Sequence, residues 1–335
     1  MRQMVIKKAR LKIALTSRAM AQGLSPDQSL KLYFTLIRPV LEFSIECWGL
    51  NLLDEIERVQ LQMGRMILGV SSKTTSDAVR GELGLWTMEG RRDLAVLRWW
   101  GKLVRMDRNR LCARVYRHRK LLIHQKRTSY CKAVRDLLSN LNLQHIWISE
   151  EVGEAKAWSD LIMAKIRDRE RKEWKERVLG KEKLRNYRVW KTDLIFENYL
   201  TQVSTFHQRC EITRFRCGTH HLRVETGRWE RTLDGKKLPV EQRTCFICMS
   251  NEVETEEHVL LDCSAYNPLR WKLFTSIRNC TGDAYQLKRR ATEREWLVDF
   301  LIGHGAQNPH KATVRKLVGK FLARAMKLRR KLMGE

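Results

Sequence analysis

Cys245-Phe246-Ile247-Cys248, followed by His258 and then Cys263, is the stretch on which the reading of this chain turns. Its spacing is C-x2-C-x9-H-x4-C. Two thiolates two residues apart fit a tight turn that aims both sulfurs at one ion, and an imidazole with a third sulfur completes the set. Four soft or borderline donors with no open position suit a structural zinc ion rather than a catalytic one. One Zn2+ is therefore expected, held by Cys245, Cys248, His258 and Cys263. Thr255 reads as an N-cap, with Glu256 and Glu257 in the first turn behind it, so His258 projects from the start of a short helix. Five residues along an ideal helix turn about 500°. That rotation separates His258 from Cys263, which must therefore sit where the helix ends, and Asn267-Pro268 just beyond agrees.

Just upstream, Leu233-Asp234-Gly235 signals a short β-hairpin between Arg231 and Val240 that delivers the chain into the motif. A rival donor group, Cys210, Cys217, His220 and His221, has a C-x6-C spacing poorly suited to a knuckle. Core packing is expected for these two cysteines and a surface position for the histidines. From Met249 to Asp262 there are five acids and no Lys or Arg, a local reversal of charge that repels phosphate from the finger's outer loop. The finger is expected instead to staple together flanking basic segments: Arg228, Arg231, Lys236, Lys237 and Arg243 before it, Arg270 and Lys272 after.

The rest of the chain is strongly basic, with 65 Lys and Arg against 38 Asp and Glu among 335 residues, a formal net charge of +27. With 43% hydrophobic residues it has enough apolar material for real cores, so disorder is excluded and the surplus charge calls for an anionic partner. Nucleic acid, RNA or DNA bound mostly through phosphates, is the expected one. A membrane is not, because no apolar run approaches the roughly 18 residues a spanning helix requires. Met1 to Arg10 lacks the apolar stretch of a secretory signal, and nine cysteines, an odd and scattered set, do not read as a disulfide framework. An intracellular location follows, nuclear or cytoplasmic; Arg329-Arg330-Lys331 fits a nuclear localisation triplet, although such triplets are common.

Only five prolines and recurrent 3.6-residue periodicity predict a mainly α fold. Ser25-Pro26-Asp27-Gln28 is a capping box opening a helix that Pro39 should kink. A second helix runs from about Asp54 to a stop at Gly69. A third starts near Thr87, with Leu94, Leu97, Trp100 and Val104 inward and Arg91, Arg92, Arg98, Lys102 and Arg105 on the other face. Residues 150–191 read as a long charge-dense helix, broken at Gly180; between Lys165 and Lys191 twelve basic residues face five acidic ones. Its candidate phosphate contacts are Arg167, Arg171, Lys172 and Lys175, with an ordinary solvated helix of i,i+4 pairs as the alternative. The last helix carries Val314, Leu317, Val318, Phe321, Ala325 and Leu328 on one stripe beneath a basic face that includes Lys327, Arg329, Arg330 and Lys331. These blocks predict a thumb-like helical bundle at 1–120, a basic helical connector at 121–200, a zinc-knuckle region at 201–280 and a C-terminal basic amphipathic helix at 281–335. Of the eleven tryptophans, Trp99, Trp100 and Trp158 are expected in cores rather than as base-stacking platforms.

Three blocks resemble the C-terminal part of a non-LTR (LINE-like) retrotransposon reverse transcriptase. Leu32 to Phe43 with Glu46-Cys47-Trp48-Gly49 resembles the family's thumb-side helix. Ile56 to Gln60, Arg65 to Val70 and Gly81 to Leu85 are similar to the stretch that follows it. Arg214 to Gly218, Glu225 to Trp229, the four candidate ligands, Glu257 to Leu261, Tyr266 and Arg270 resemble its terminal knuckle. The resemblance implies partners within a retroelement ribonucleoprotein and a parent activity of RNA-directed DNA polymerisation. That chemistry requires adjacent aspartates holding two metal ions, and this chain has no Asp-Asp pair. The expectation is thus a thumb-and-knuckle segment that binds nucleic acid and has no catalytic residues of its own. Two alternatives stand beside it: an accessory part of an active polymerase, and a domesticated zinc-stabilised protein-interaction module.

Overall fold

In a computed structural model the chain is helical nearly throughout; the structure describes residues 2–50, 54–123, 129–282, 294–303 and 309–334. Among the described residues β-structure is limited to three isolated antiparallel bridges. Two compact units form, and neither follows the four linear blocks. The first gathers Met1–Gln22, Ser29–Met63 and Leu85–Glu176; the second gathers Gly23–Gln28, Gly64–Gly84 and Arg177–Glu335.

The first unit is built on aromatic packing. The helix Met88–Arg105 starts where sequence placed it, with Thr87 Oγ1 accepting from the Gly90 N–H at 3.0 Å. Leu94, Leu97 and Trp100 are buried along its inner face, while Val104 packs at the edge of the same core. Trp100 stacks on Trp147 at 5.9 Å and meets Trp158 edge-on at 5.5 Å. Both indole N–H groups are satisfied, Trp100 by Tyr116 Oη and Trp158 by the Leu97 carbonyl, each at 2.9 Å, as a buried Trp requires. Core roles for Trp100 and Trp158 are thereby seen; Trp99 is half-buried, with Lys102 Nζ 5.4 Å over its ring. Gly101 is where the Trp158 ring presses on the helix: a Cβ there would lie 2.4 Å from its Cδ1. The long helix Ala155–Leu179 ends before Gly180 as expected and buries Trp158, Ile162, Ile166 and Glu170. Glu170 accepts from both the N–H and the hydroxyl of Thr87 at 2.8 Å, and its burial pushes the carboxyl pKa up.

Nearer the N-terminus, only half of the predicted capping box closes, the Ser25 N–H donating to Gln28 Oε1 at 3.0 Å. The bend expected at Pro39 takes the form of a wide π-type turn, Tyr33–Ile37, immediately before Arg38–Leu41. A bulge there accommodates a ring that cannot donate to the helix ladder.

The second unit is built on buried ion pairs. Asp54–Leu68 ends at Gly69, whose φ of +64° leaves no room for a side chain; a Cβ would sit 2.3 Å from Cys210 Sγ. Arg216 is fully buried and holds Glu82 at 3.0 Å and Glu197 at 3.3 Å, with the Ile302 carbonyl at 2.8 Å. The last helix, Lys311–Met333, packs on Phe206–Arg216 and Asn267–Thr281. Val314, Val318, Phe321 and Ala325 are buried on it as predicted, and Leu317 and Leu328 are half-buried. Its inward face also carries two buried arginines: Arg315, which donates to the Leu301 and Gly303 carbonyls, and Arg329, which periodicity had put on the basic side.

Candidate metal centre

Four side chains converge in the second unit. The Sγ atoms of Cys245, Cys248 and Cys263 and a ring nitrogen of His258 all lie within 4.8 Å of one another. Cys245 and Cys263 Sγ are 4.0 Å apart, and Cys248 Sγ is 3.3 Å from His258 Nε2. Cys245, His258 and Cys263 are buried and Cys248 is partly so.

Local backbone explains the convergence. Cys245 and Cys248 lie between the paired residues Thr244 and Val253; the Cys245 N–H donates to the Glu252 carbonyl at 2.8 Å, and the chain reverses through positive φ at Met249 and Asn251. Thr255 caps the following turn as expected, Oγ1 accepting from the His258 N–H at 3.0 Å. Ideal helical rotation from there would swing Cys263 away from His258. Instead His258–Asp262 forms a wide π-type turn closed by the Cys263 N–H on the His258 carbonyl at 2.8 Å. Widening the turn by one residue brings Cys263 back under His258, a use of π geometry common at functional sites. Farther upstream, the predicted hairpin around Asp234-Gly235 contributes a single bridge, Arg231 to Lys237, with Gly235 at φ +72°.

The donors are electrostatically set around positive charge. The hydrogen bond with Cys263 pulls the Cys245 thiol down to about 3 against the opposing effect of burial, and the same bond pushes Cys263 up. His258 is raised to about 9, chiefly by Cys245. A carboxylate stands beside the set: Glu252 Oε2 lies 2.9 Å from His258 Nδ1, within ion-pair distance, on a side chain that is itself exposed.

Of three surrounding arginines, two, Arg223 and Arg185, were not singled out from sequence. The buried Arg270 guanidinium collects the carbonyls of Leu260 and Cys263 at 2.9 Å and of Val259 at 3.2 Å, tying off the turn that carries His258. Arg223 stacks 3.6 Å over Phe246, between the first two cysteines. Arg185 bridges Glu256 at 2.9 Å and Glu225 at 2.6 Å. Arg270 had been noted only as a flanking cation and in the family resemblance. Nothing in the spacing marks Arg185, because its partners lie 40 and 71 residues away.

The acids of the finger need reinterpretation. Glu254 is completely buried in a two-point ion pair with Arg329 at 2.8 and 2.9 Å, and Glu256 is buried against Arg185 and His220. They are counter-ions inside the unit rather than a phosphate-repelling outer loop. His220 is consequently buried, contrary to expectation, while His221 is exposed and Cys210 and Cys217 are core residues. Among the described residues this rival group does not gather around a common point; the only other cluster of donors is Glu252, His258 and Asp262, which shares His258 with the first.

Of the candidate phosphate contacts, Arg98, Lys102, Arg167, Lys172, Lys175, Arg231, Lys236, Lys237, Lys327 and Lys331 are exposed. Arg91, Arg92, Arg171, Arg228 and Arg330 are half-buried, Arg91 pairing with Glu42, Arg92 with Asp93 and Arg228 with Glu225. Arg243 and Arg329 are corrections: both are buried, Arg243 donating to the Val224 and Leu238 carbonyls, so neither presents its charge to solvent. Arg98 and Lys102 line a cleft in the first unit together with Arg105 and Arg110. No helix among the described residues is long and apolar enough to cross a membrane. No family model, curated protein or solved structure matches the chain.

Proposed function

We propose that the chain is a zinc-stapled helical module that binds nucleic acid through phosphate contacts, akin to the thumb-and-knuckle part of a non-LTR reverse transcriptase and without a polymerase site of its own. For zinc, the support is metric. A tetrahedral ion with Zn–S bonds of about 2.3 Å sets its sulfurs about 3.8 Å apart, close to the 4.0 Å between Cys245 and Cys263. The closed donor set leaves no position for substrate, so the ion is structural.

The observation that carries the binding reading is a division among the cations. Arginines inside the second unit are matched to carboxylates or carbonyls, whereas Arg167, Lys172, Lys175, Lys236, Lys237, Lys327 and Lys331 are exposed and have no ion pair among the described residues. A chain of net charge +27 keeps such side chains in solvent at the expense of mutual repulsion, which phosphate relieves.

Titrating a fluorescent oligonucleotide at several salt concentrations tests this. The logarithm of affinity should fall with log salt by roughly 0.7 to 0.9 per phosphate contact, and changing Arg167, Lys172 and Lys175 together to Gln should lower both affinity and slope. A slope near zero, or equal binding to an acidic protein, would favour the interaction-module reading. One equivalent of zinc by metal analysis is expected, as is no primer extension by this chain alone.

A further inference from the structure

One aromatic side chain stands out of the second unit in a setting that charge and shape both define. Trp271, on the helix Asn267–Thr281, is 69% exposed, whereas Arg270, Leu273 and Ile277 on the same helix are buried. It lines a cleft of about 310 Å³ between this helix and Lys311–Met333. The apolar part of the lining comes from Leu269, Leu273, Leu317 and Phe321. Thr275 and Ser276 supply hydroxyls, and the remaining lining residues are Lys272, Lys320 and Arg324, all exposed. None of these three cations has an ion pair among the described residues, and the cleft has no acidic lining residue.

We infer that this cleft is a stacking site for one base of a single-stranded nucleic acid, with Trp271 as the platform and Lys272, Lys320 and Arg324 on the adjoining phosphates. The inference rests on the nucleic-acid reading and specifies its strand form. An indole left in water beside an apolar slot has an unburied π-face, and every base presents a matching one. The three cations fit a backbone passing the mouth of the slot, and the hydroxyls fit the edge of whichever base occupies it. A duplex keeps its bases in their own stack, so its affinity depends on the cations alone. The volume is at the small end of ordinary ligand clefts, which suits one base and not a stacked pair.

The test compares the full-length zinc-bound protein with Trp271→Ala and Trp271→Phe by fluorescence anisotropy. Three probes are used: an octanucleotide of dT, its rU counterpart, and an abasic sugar-phosphate octamer. Loss of one stack, about 1 to 3 kcal/mol, predicts that Trp271→Ala binds dT8 and rU8 about 5- to 150-fold more weakly, while Trp271→Phe recovers most of the affinity. Binding of the abasic chain should be unchanged by either substitution. Lys320→Gln with Arg324→Gln should weaken all three probes and reduce the salt slope. Zinc content and circular dichroism equal to the parent's keep a folding defect from imitating the result. If Trp271→Ala binds dT8 and rU8 as the parent does, or weakens the abasic chain equally, the stacking site is overturned while the wider reading stands. If the parent binds neither these probes nor a duplex of the same length, both are overturned.

Discussion

Trp100, Trp147 and Trp158 organise the interior of the first unit by aromatic packing, whereas the second unit encloses charge: Arg216 against Glu82 and Glu197, Arg329 against Glu254, Arg185 and His220 against Glu256. Aromatic packing is indifferent to metal and weakly dependent on pH. Buried ion pairs are neither, since each charge has lost its water and depends on one partner in one geometry. The Cys/His cluster belongs to the second style of construction, another set of charges that is stable only when balanced. Arginine in this chain thus has at least two settings: matched to carboxylates inside the second unit, as at Arg216 and Arg329, and exposed with no ion pair among the described residues, as at Arg167 and Arg324.

Removing the metal should widen that contrast most. Apparent binding free energies of structural zinc are on the order of 10 kcal/mol or more, comparable with the whole stability of an ordinary domain. With a chelator, or in Cys263→Ser, amide exchange protection should collapse at Val224, Cys245, Glu254 and Cys263, whose N–H groups bond within the cluster's surroundings. Protection along Met88–Arg105 should persist. Uniform loss in both units would mean that they do not differ in the way proposed.

The next test separates a structural arginine from a phosphate-binding one. Arg329→Met leaves Glu254 buried and unpaired and should cost about 3 to 5 kcal/mol in urea unfolding. Adding Glu254→Gln, which keeps an acceptor for the Arg223 N–H 2.8 Å away, should restore most of that loss. Lys331→Gln, at an exposed position on the same helix, should leave stability within about 0.5 kcal/mol. A single-mutant cost below 1 kcal/mol would return Arg329 to the surface group.

Sequence showed the first unit better than the second for a physical reason. Helical periodicity reports which residues leave water, and in Met88–Arg105 those residues are apolar, so Leu94, Leu97 and Trp100 could be assigned inward. Arg315, Arg329 and Arg243 leave water too, but their burial depends on partners distant in sequence, Glu254 lying 75 residues before Arg329. The four converging donors, Cys245, Cys248, His258 and Cys263, were legible because their spacing is itself the signal. Glu252 beside His258 was not, since a run of acids offers no way to choose among them. Each compact unit draws on separated stretches of chain, which linear composition does not report.

A smaller effect probes the aromatic unit. In Gly101→Ala the new methyl meets the Trp158 ring, which is pinned by its bond to the Leu97 carbonyl and has little freedom to retreat. Overpacking of this kind costs about 1 to 3 kcal/mol. Exchange protection should fall in Met88–Arg105, with metal content and the amides around Cys245 untouched. An unchanged stability would show that the three-tryptophan core yields more easily than its geometry suggests.

The last effect concerns acid, to which the two units should respond differently. Burial raises both Asp77 and Glu197, but cationic partners overcome it: Lys181, Arg80 and Arg177 bring Asp77 to about 2, and Arg216 and Lys191 bring Glu197 to about 2. Depressed carboxyls contribute stability that is present above their ordinary values of 3.8 and 4.5 and is lost as pH falls toward 2. Glu170 in the first unit is raised by burial, so its contribution runs the other way, present below 4.5 and lost as pH rises through the raised value. Between pH 5 and 2.5 the second unit should therefore lose protection while the first loses less. Acid also protonates metal ligands, which weakens the second unit by a separate route. The double variant Asp77→Asn, Glu197→Gln isolates the carboxylates, because metal loss is common to variant and parent. It should be less stable than the parent at pH 5, and the difference should shrink toward zero by pH 2.5. A difference that stays constant across that range would mean that these two carboxyls titrate alike in the folded and unfolded chain, and that the charged interior is not what makes the second unit acid-sensitive.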